Sequence, residues 1–149
     1  MRILVMNGPN LNMLGRREPN IYGSVSLSAI ETLLSNLAKS LSVELEMFQS
    51  NIEGELVERI QKTIDENFDG ILINPGAYGH TSIALRDALS AVALPFIEVH
   101  MSNVYAREEF RHKSYLSDIS AGVIVGMGTQ SYLLGLRGLV ESLRAKKKS

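Results

Sequence analysis

The chain has 149 residues, 45% of them hydrophobic, with 15 Lys and Arg against 16 Asp and Glu. That size and apolar share fit one globular domain over residues 1–149 with a sizeable core, and a net charge of −1 gives no electrostatic reason to expect nucleic acid or an anionic membrane as partner. The absence of cysteine excludes disulfides, Cys-ligated zinc, iron–sulfur clusters and thiol catalysis.

Met1 leads straight into a strand-like run without a signal peptide, and no apolar run approaches membrane-spanning length, so a cytoplasmic protein is expected. Residues 2–6, RILVM, are almost continuously apolar and end at Asn7, Gly8 and Pro9, the pattern of a strand covered on both faces. Then comes NGPNLNMLGRREPNIYG, Asn7 to Gly23, which carries four Asn, two adjacent Arg and one Tyr and lacks helical periodicity. Connections this long in compact domains are lids, binding loops or linkers, and without Gly/Ser/Pro repeats this one does not read as a linker. Leu11, Met13, Leu14 and Ile21 are its candidate core anchors, and Gly15 and Gly23 its hinge points. The expectation is a lid over about residues 15–24, anchored from Asn7 to Asn12 and mobile beyond Gly15 while the site is empty.

Leu27, Ile30, Leu34, Leu37 and Leu41 repeat at helical spacing, with Ser28 and Glu31 as a candidate capping box. Strand-like runs recur at 43–48, 70–74, 95–100 and 122–127, separated by further helical stripes. One of these stripes is Leu56, Ile60 and Ile64; another is Leu85, Ala88, Leu89 and Val92, capped by Thr81 or Ser82. The last helix is expected from about Gln130 to Arg144, followed by a frayed basic tail over about residues 145–149. Strands alternating with helices, without a hairpin signal, predict an α/β fold: a flavodoxin-like, doubly wound, five-stranded parallel sheet of order 2-1-3-4-5 in three α/β/α layers. Ligands in such sheets sit beyond the carboxyl ends of the strands, at the switch between strands 1 and 3.

Polar residues just after each strand should therefore converge, and His80 and His100 both belong to that set. Either histidine alone reads as structural, but their joint placement at one sheet edge favours function. His112 lies beyond the edge and reads as solvated. Glu98, two residues before His100, shares its strand face, and a buried carboxylate beside a histidine suits a general acid. A tyrosine hydroxyl ordinarily titrates near ~10, so Tyr22 acting as a base near neutral pH needs about 4 kcal/mol of preferential phenolate stabilisation. Arg16, Arg17, Arg107 and Arg111 are the available cations. The bland alternative is a packed Tyr22 beside solvated arginines. GMGTQS at 126–131 follows the last strand and lacks a subsequent ribose-binding acid, so it is no dinucleotide fingerprint. No spacing suits a metal, and no cofactor is expected.

The blocks NGPNLNMLGRREPNIYG, ILINPGAYGHTSIALRDAL, PFIEVHMSNVYAREEFRHKSYLS and GVIVGMGTQSYLLGL together resemble type II 3-dehydroquinate dehydratase over essentially the whole chain. The resemblance implies a lyase of aromatic biosynthesis (the shikimate pathway) or quinate breakdown. It would convert 3-dehydroquinate to 3-dehydroshikimate and water by metal-free anti elimination through an enolate. It implies Tyr22 as base, Arg17 beside it, His100 as acid oriented by Glu98, and Asn12 holding a water or the enolate oxygen. Asn74, His80 and Arg111 would bind ring hydroxyls. Backbone N–H groups of Met101 and Ser102, helped by a short downstream helix, would receive the carboxylate. Asp87 would reach a neighbouring subunit's site in a dodecamer built from trimers. Gly76 and Gly79 leave the loop after strand 3 glycine-rich, which points to a less rigid loop. The competing class is a non-catalytic flavodoxin-like module; a phosphoacceptor version would need acids after strand 1, where Asn7 stands, and a lysine after strand 5, where Gly126 to Gly128 stand.

Overall fold

A continuously apolar strand needs cover on both faces, and in the computed structural model of the chain the three central runs, residues 2–7, 70–74 and 96–100, are sandwiched between helices while the two edge runs are only partly covered. The structure describes residues 1–148 apart from Arg17 and Gly23, and the backbone alone of Pro19 and Tyr22. The strands are β1 (Arg2–Asn7), β2 (Glu44–Gln49), β3 (Gly70–Asn74), β4 (Phe96–His100) and β5 (Gly122–Val125), and the helices α1 (Pro19–Tyr22), α2 (Leu27–Leu41), α3 (Glu53–Lys62), α4 (Ile83–Val92) and α5 (Thr129–Lys148); α1 and α2 both connect β1 to β2, and β4 reaches β5 through 3-10 turns where a helical stripe was expected. All strand pairs are parallel, in the order β2-β1-β3-β4-β5. This is the expected flavodoxin-like fold.

The two-residue period of the strands divides the core in two. Ile3, Val5, Leu72, Ile97 and Val99 pack with Ile30 and Leu34 of α2 and with Leu136 and Val140 of α5. Leu4, Met6, Ile71 and Ile73 point the other way, against Leu56 and Ile60 of α3 and Leu85 and Leu89 of α4. Helix α5 lies close to the sheet because position 135 is glycine: a Cβ there would sit 2.8 Å from both Leu72 Cδ1 and Val99 Cγ1.

Helix boundaries differ from the sequence reading for identifiable reasons. Ser26, not Ser28, caps α2: its backbone is extended and its side chain accepts from Ala29 N at 3.2 Å, which puts Ser28 inside the first turn and leaves no capping box. For α4 the cap is Ser82, whose Oγ accepts from Leu85 N at 2.9 Å. Helix α3 stops at Lys62, so Ile64 leaves the stripe and is 63% exposed. Helix α5 runs on through Lys148 where a frayed tail was expected. Its last turn carries Lys146, Lys147 and Lys148, a favourable charge at a helix C-terminus, and Arg144 donates to Leu41 O.

After β1 the chain is more structured than its aperiodic sequence suggests. A 3-10 turn forms at Leu11–Met13, and α1 follows. Leu11 and Leu14 are the buried anchors, whereas Met13 and Ile21 are each 40% exposed. Gly8 N donates to Asn74 O at 2.9 Å, and Asn10 N donates to Asn51 Oδ1 at 2.9 Å, fixing the start of the segment to β3 and to the β2 exit.

At Gly8 the loops after β1 and β3 touch: an added Cβ would lie 2.2 Å from Pro75 O. Gly8→Ala is expected to destabilise the fold by ~2 kcal/mol or more, because backbone, not a flexible side chain, must move. Urea unfolding of the two proteins measures it.

Candidate active site

Parallel register brings the carboxyl ends of β1, β3 and β4 to one level, with Asn7 opposite Asn74 and Ile73 opposite Glu98. Asn7 and Asn74 are buried and joined through α5. The Tyr132 hydroxyl donates to Asn7 Oδ1 at 2.6 Å and accepts from Asn74 Nδ2 at 2.8 Å, while Gly76 N donates to Asn74 Oδ1 at 3.1 Å. Burial pushes the Tyr132 hydroxyl far above its ordinary range, against the opposing effect of the Asn74 bond, so it stays a neutral hydrogen-bonding link. The loop that follows β3 needs both of its glycines. Gly76 adopts φ +58° with its Cβ position 3.0 Å from Pro9 O, and a Cβ at Gly79 would sit 2.7 Å from Pro75 Cγ. The loop is tightly packed rather than loosened by glycine.

On β4, Glu98 and His100 point to the same side and are nearly inaccessible, at 1% and 6% exposure. His100 Nε2 lies 2.6 Å from Glu98 Oε2. Since a carboxylate only accepts, Nε2 carries the proton and Nδ1 is the ring nitrogen left for an incoming group. Burial alone would push the Glu98 carboxyl up, but the hydrogen bond and charge of His100, with the Ser117 and Ser114 hydroxyls, hold it below the usual carboxylate range. His80 stacks on His100 with ring centroids 5.6 Å apart and 23° between planes. Its Nδ1 must donate to Lys113 O, 2.8 Å away, which leaves Nε2 as an acceptor. Burial lowers the His80 pKa, an effect that the hydrogen bond to Lys113 O only partly offsets and that the charges of His100 and Arg111 reinforce, so the ring is neutral at physiological pH.

The chain after β4 supplies the cations. Arg107 NH1 lies 3.3 Å from Ser102 Oγ, and Arg111 Nε pairs with Glu108 Oε1 at 3.0 Å. Arg107 also faces Glu18 at 3.8 Å, which links it to the segment after β1. The helix expected after Ser102 is only a three-residue 3-10 turn, Val104–Ala106, capped by Asn103. It is too short to contribute a useful macrodipole. These groups enclose a cleft of about 130 Å³ lined by, among others, Asn74, His80, His100, Met101, Ser102 and Arg111. A wider depression of about 450 Å³ at the amino-terminal end of β4 contains one titratable group, Lys146, so the convergence of chemistry rather than volume marks the site. Among the described residues no group of three His, Asp or Glu is arranged to hold a metal ion.

Residues 1–140 match the family described as Dehydroquinase class II. The chain belongs to that family. It is 62% identical over 135 residues to a 3-dehydroquinate dehydratase of Thioalkalivibrio sulfidiphilus, covering 91% of this chain and 92% of the relative. It is 56% identical over 144 residues to one of Prochlorococcus marinus, covering 97% and 99%. Crystal structures of type II dehydroquinases from Butyrivibrio crossotus and Propionibacterium acnes superpose with TM-scores of 0.92 and 0.89 at 48% and 41% identity. The first covers 93% of this chain and 97% of that structure's, the second 94% and 96%.

Of the residues assigned by the resemblance to class II dehydroquinases, Asn74, His80, His100, Met101, Ser102 and Arg111 come together at the cleft, with Glu98 directly behind His100. Arg17 and the Tyr22 side chain lie outside the described residues. Asn12 is exposed on its 3-10 turn, and it is Asn10 and Leu11 that line the cleft beside it. Asp87 is exposed on α4 and does not line it. His112 is exposed as expected, with Nε2 3.2 Å from Arg107 O. The sequence offered Arg107 only as one of four available cations, and Ser114, Ser117 and Tyr132 were missed altogether. For Tyr132 a signal existed: it lies beside Leu133 and one turn before Leu136, as a polar group on a buried helix face.

The two shifted groups set an acid response. His80 is depressed below 6.5, so as pH falls through 6.5 the unfolded chain binds a proton that the folded chain resists, and stability declines. Glu98, depressed below 4.5, contributes stability present above 4.5 that is lost as pH falls further toward its folded value. Denaturant unfolding across this range is expected to show both declines, and His80→Gln should remove the one that begins at 6.5.

Proposed function

We infer that this chain is a 3-dehydroquinate dehydratase, a lyase that removes water from 3-dehydroquinate to give 3-dehydroshikimate. The observation that carries the inference is the family match over residues 1–140, with the buried Glu98–His100 pair opening onto the cleft at the strand ends.

The reaction removes a proton alpha to a ketone and expels a hydroxyl from the neighbouring carbon, so it needs a base, a site for enolate charge and an acid. In our proposal His100 is the acid. With Nε2–H bonded to Glu98, its Nδ1–H proton passes to the departing oxygen, which leaves as water with the C–O electron pair. The neutral His80 and the Asn74 amide orient ring hydroxyls, the former accepting at Nε2 and the latter donating with its second N–H. Arg107 and Arg111 give the cleft a positive character that favours an anionic substrate and the developing enolate. The Met101–Ser102 backbone receives the substrate carboxylate. Tyr22 is the base, with Arg17 stabilising its phenolate, and Asn12 holds the enolate side. Residues 15–24 close over the bound substrate, a role consistent with the Arg107–Glu18 contact at the edge of that segment.

We further propose that Asp87, exposed on α4, completes the site of a neighbouring subunit in a dodecamer of trimers, and that the enzyme works in the cytoplasm. No helix among the described residues is long and apolar enough to cross a membrane. Light scattering on the eluted protein is expected to give twelve chain masses; a monomer mass would sink the assembly.

Purified protein mixed with 3-dehydroquinate should generate the ultraviolet absorbance of the conjugated enone. Tyr22→Phe is expected to bind substrate and lose turnover by about 10²-fold or more, because the acid–base step has lost its base. Wild-type rates in that variant would remove Tyr22 from its role.

A further inference from the structure

Residues 113–118 have no strand or long helix to hold them, yet they are pinned at several points to the site. Lys113 O accepts from His80, Tyr115 N donates to Gly79 O at 2.8 Å, and Arg86 NH1 donates to Tyr115 O at 2.8 Å. Arg86 also pairs with the Asp118 carboxylate, and three further contacts end on Glu98. Ser117 Oγ donates to Oε1 at 2.7 Å, and Ser114 Oγ lies 3.0 and 2.9 Å from Oε1 and Oε2.

The geometry of Ser114 leaves its proton no alternative. Its oxygen accepts from Leu116 N at 3.0 Å and from Ser117 N at 3.3 Å, which occupies both lone pairs. The single hydroxyl proton is therefore committed to the Glu98 carboxylate. With Ser117 and His100 Nε2–H, three donors surround a carboxylate that is 1% exposed. Hydrogen bonds to an ionised acceptor are roughly twice as strong as those to a neutral one, so this cage favours the charged form. A proton taken up by Glu98 would cancel the charge that strengthens all three of these bonds. The other titratable and charged groups nearby are His80, stacked on His100 and sensing the Glu98 charge, and Arg111, which faces His80.

We propose that Ser114 and Ser117 are positioning residues for the acid: by committing their hydroxyl protons to Glu98 they keep it an acceptor for His100 Nε2–H, so that Nδ1 alone delivers the proton. The proposal rests on the dehydratase reading for its kinetic consequence but not for its placement of protons. Without the hydroxyls, the neutral carboxylic acid beside a neutral imidazole competes with the ionised pair, and a share of the enzyme holds its proton on the wrong group. His100 gives up its Nδ1 proton to the departing oxygen and retains Nε2–H on Glu98, so the serines lose and gain nothing.

The test has two arms. Carboxyl ¹³C NMR titration of Glu98 without substrate reads its proton affinity, and steady-state dehydration reads the catalytic effect. Ser117→Ala removes one donor and no backbone partner, whereas Ser114→Ala also releases the Leu116 and Ser117 N–H groups; Ser117→Thr restores a hydroxyl. The Glu98 titration is expected to move upward in both alanine variants and return in Ser117→Thr. In Ser117→Ala, kcat should fall about 10-fold with KM held within about 2-fold. An unmoved Glu98 titration in Ser117→Ala overturns the proposal even if Ser114→Ala fails to fold, and so does a loss confined to KM. If the wild-type protein does not dehydrate 3-dehydroquinate, the function reading fails, while the titration arm still decides whether the serines set the state of Glu98.

Discussion

A carboxylate buried at the carboxyl edge of a parallel sheet is tolerated only when donors replace the water it has lost, and at Glu98 that requirement shapes everything nearby. His100 supplies one donor from the same strand, and the other two come from the chain after β4. That chain cannot wander, because Ser114 and Ser117 must reach the carboxylate. Its fixed course carries Lys113 O to His80 and brings Arg107 and Arg111 to the cleft rim. The proposed acid His100, the carboxylate beside it, the neutral histidine stacked on it and the cations around it thus follow from satisfying one buried charge. Removing any single donor would leave the anion less well compensated, so the arrangement is stringent.

The second constraint is the closeness of α5 to the sheet. Gly135 lets the helix approach, and one turn earlier Tyr132 reaches between β1 and β3 to hold the amides of Asn7 and Asn74. The strands set the height of the site, whereas this helix sets the rotation of the two asparagines within it. For Asn74 both amide atoms are engaged, the oxygen by Gly76 N and the nitrogen by Tyr132, so its amide does not flip.

Much of the fold was legible because its signal is local and redundant. Five apolar runs separated by helical stripes admit few arrangements, and connection rules reduce them to a familiar strand order. The Glu98–His100 pairing was legible too, since two-residue spacing on a strand fixes a shared face. Ile64 was misread because periodicity does not encode where a helix stops, and Ser28 because Ser26 offered an equally good cap two residues earlier. The basic tail was misjudged because a helix already docked through Leu136, Val140 and Leu143 propagates at little cost, and lysines suit its C-terminal end. Ser114, Ser117 and Tyr132 escaped notice for another reason. Serines in an irregular segment look like turn residues, and their partners lie on other elements, so only the three-dimensional path reveals them. Asn12 and Asp87 came from family likeness alone, and nothing in their spacing recommends them.

The link from Tyr132 to Asn7 also bears on how the protein ages. Asn7 precedes Gly8, the dipeptide in which an asparagine side chain most readily cyclises onto the following backbone nitrogen and deamidates. Here that nitrogen is engaged with Asn74 O at 2.9 Å and the amide oxygen is held by Tyr132 at 2.6 Å, both in a buried edge where the ring cannot close. Chemical damage at the centre of the site therefore has to wait for β1 and α5 to part. Isoaspartate at position 7 would accumulate at the pace of that opening, so the protein carries a slow internal clock of its own excursions from the native state.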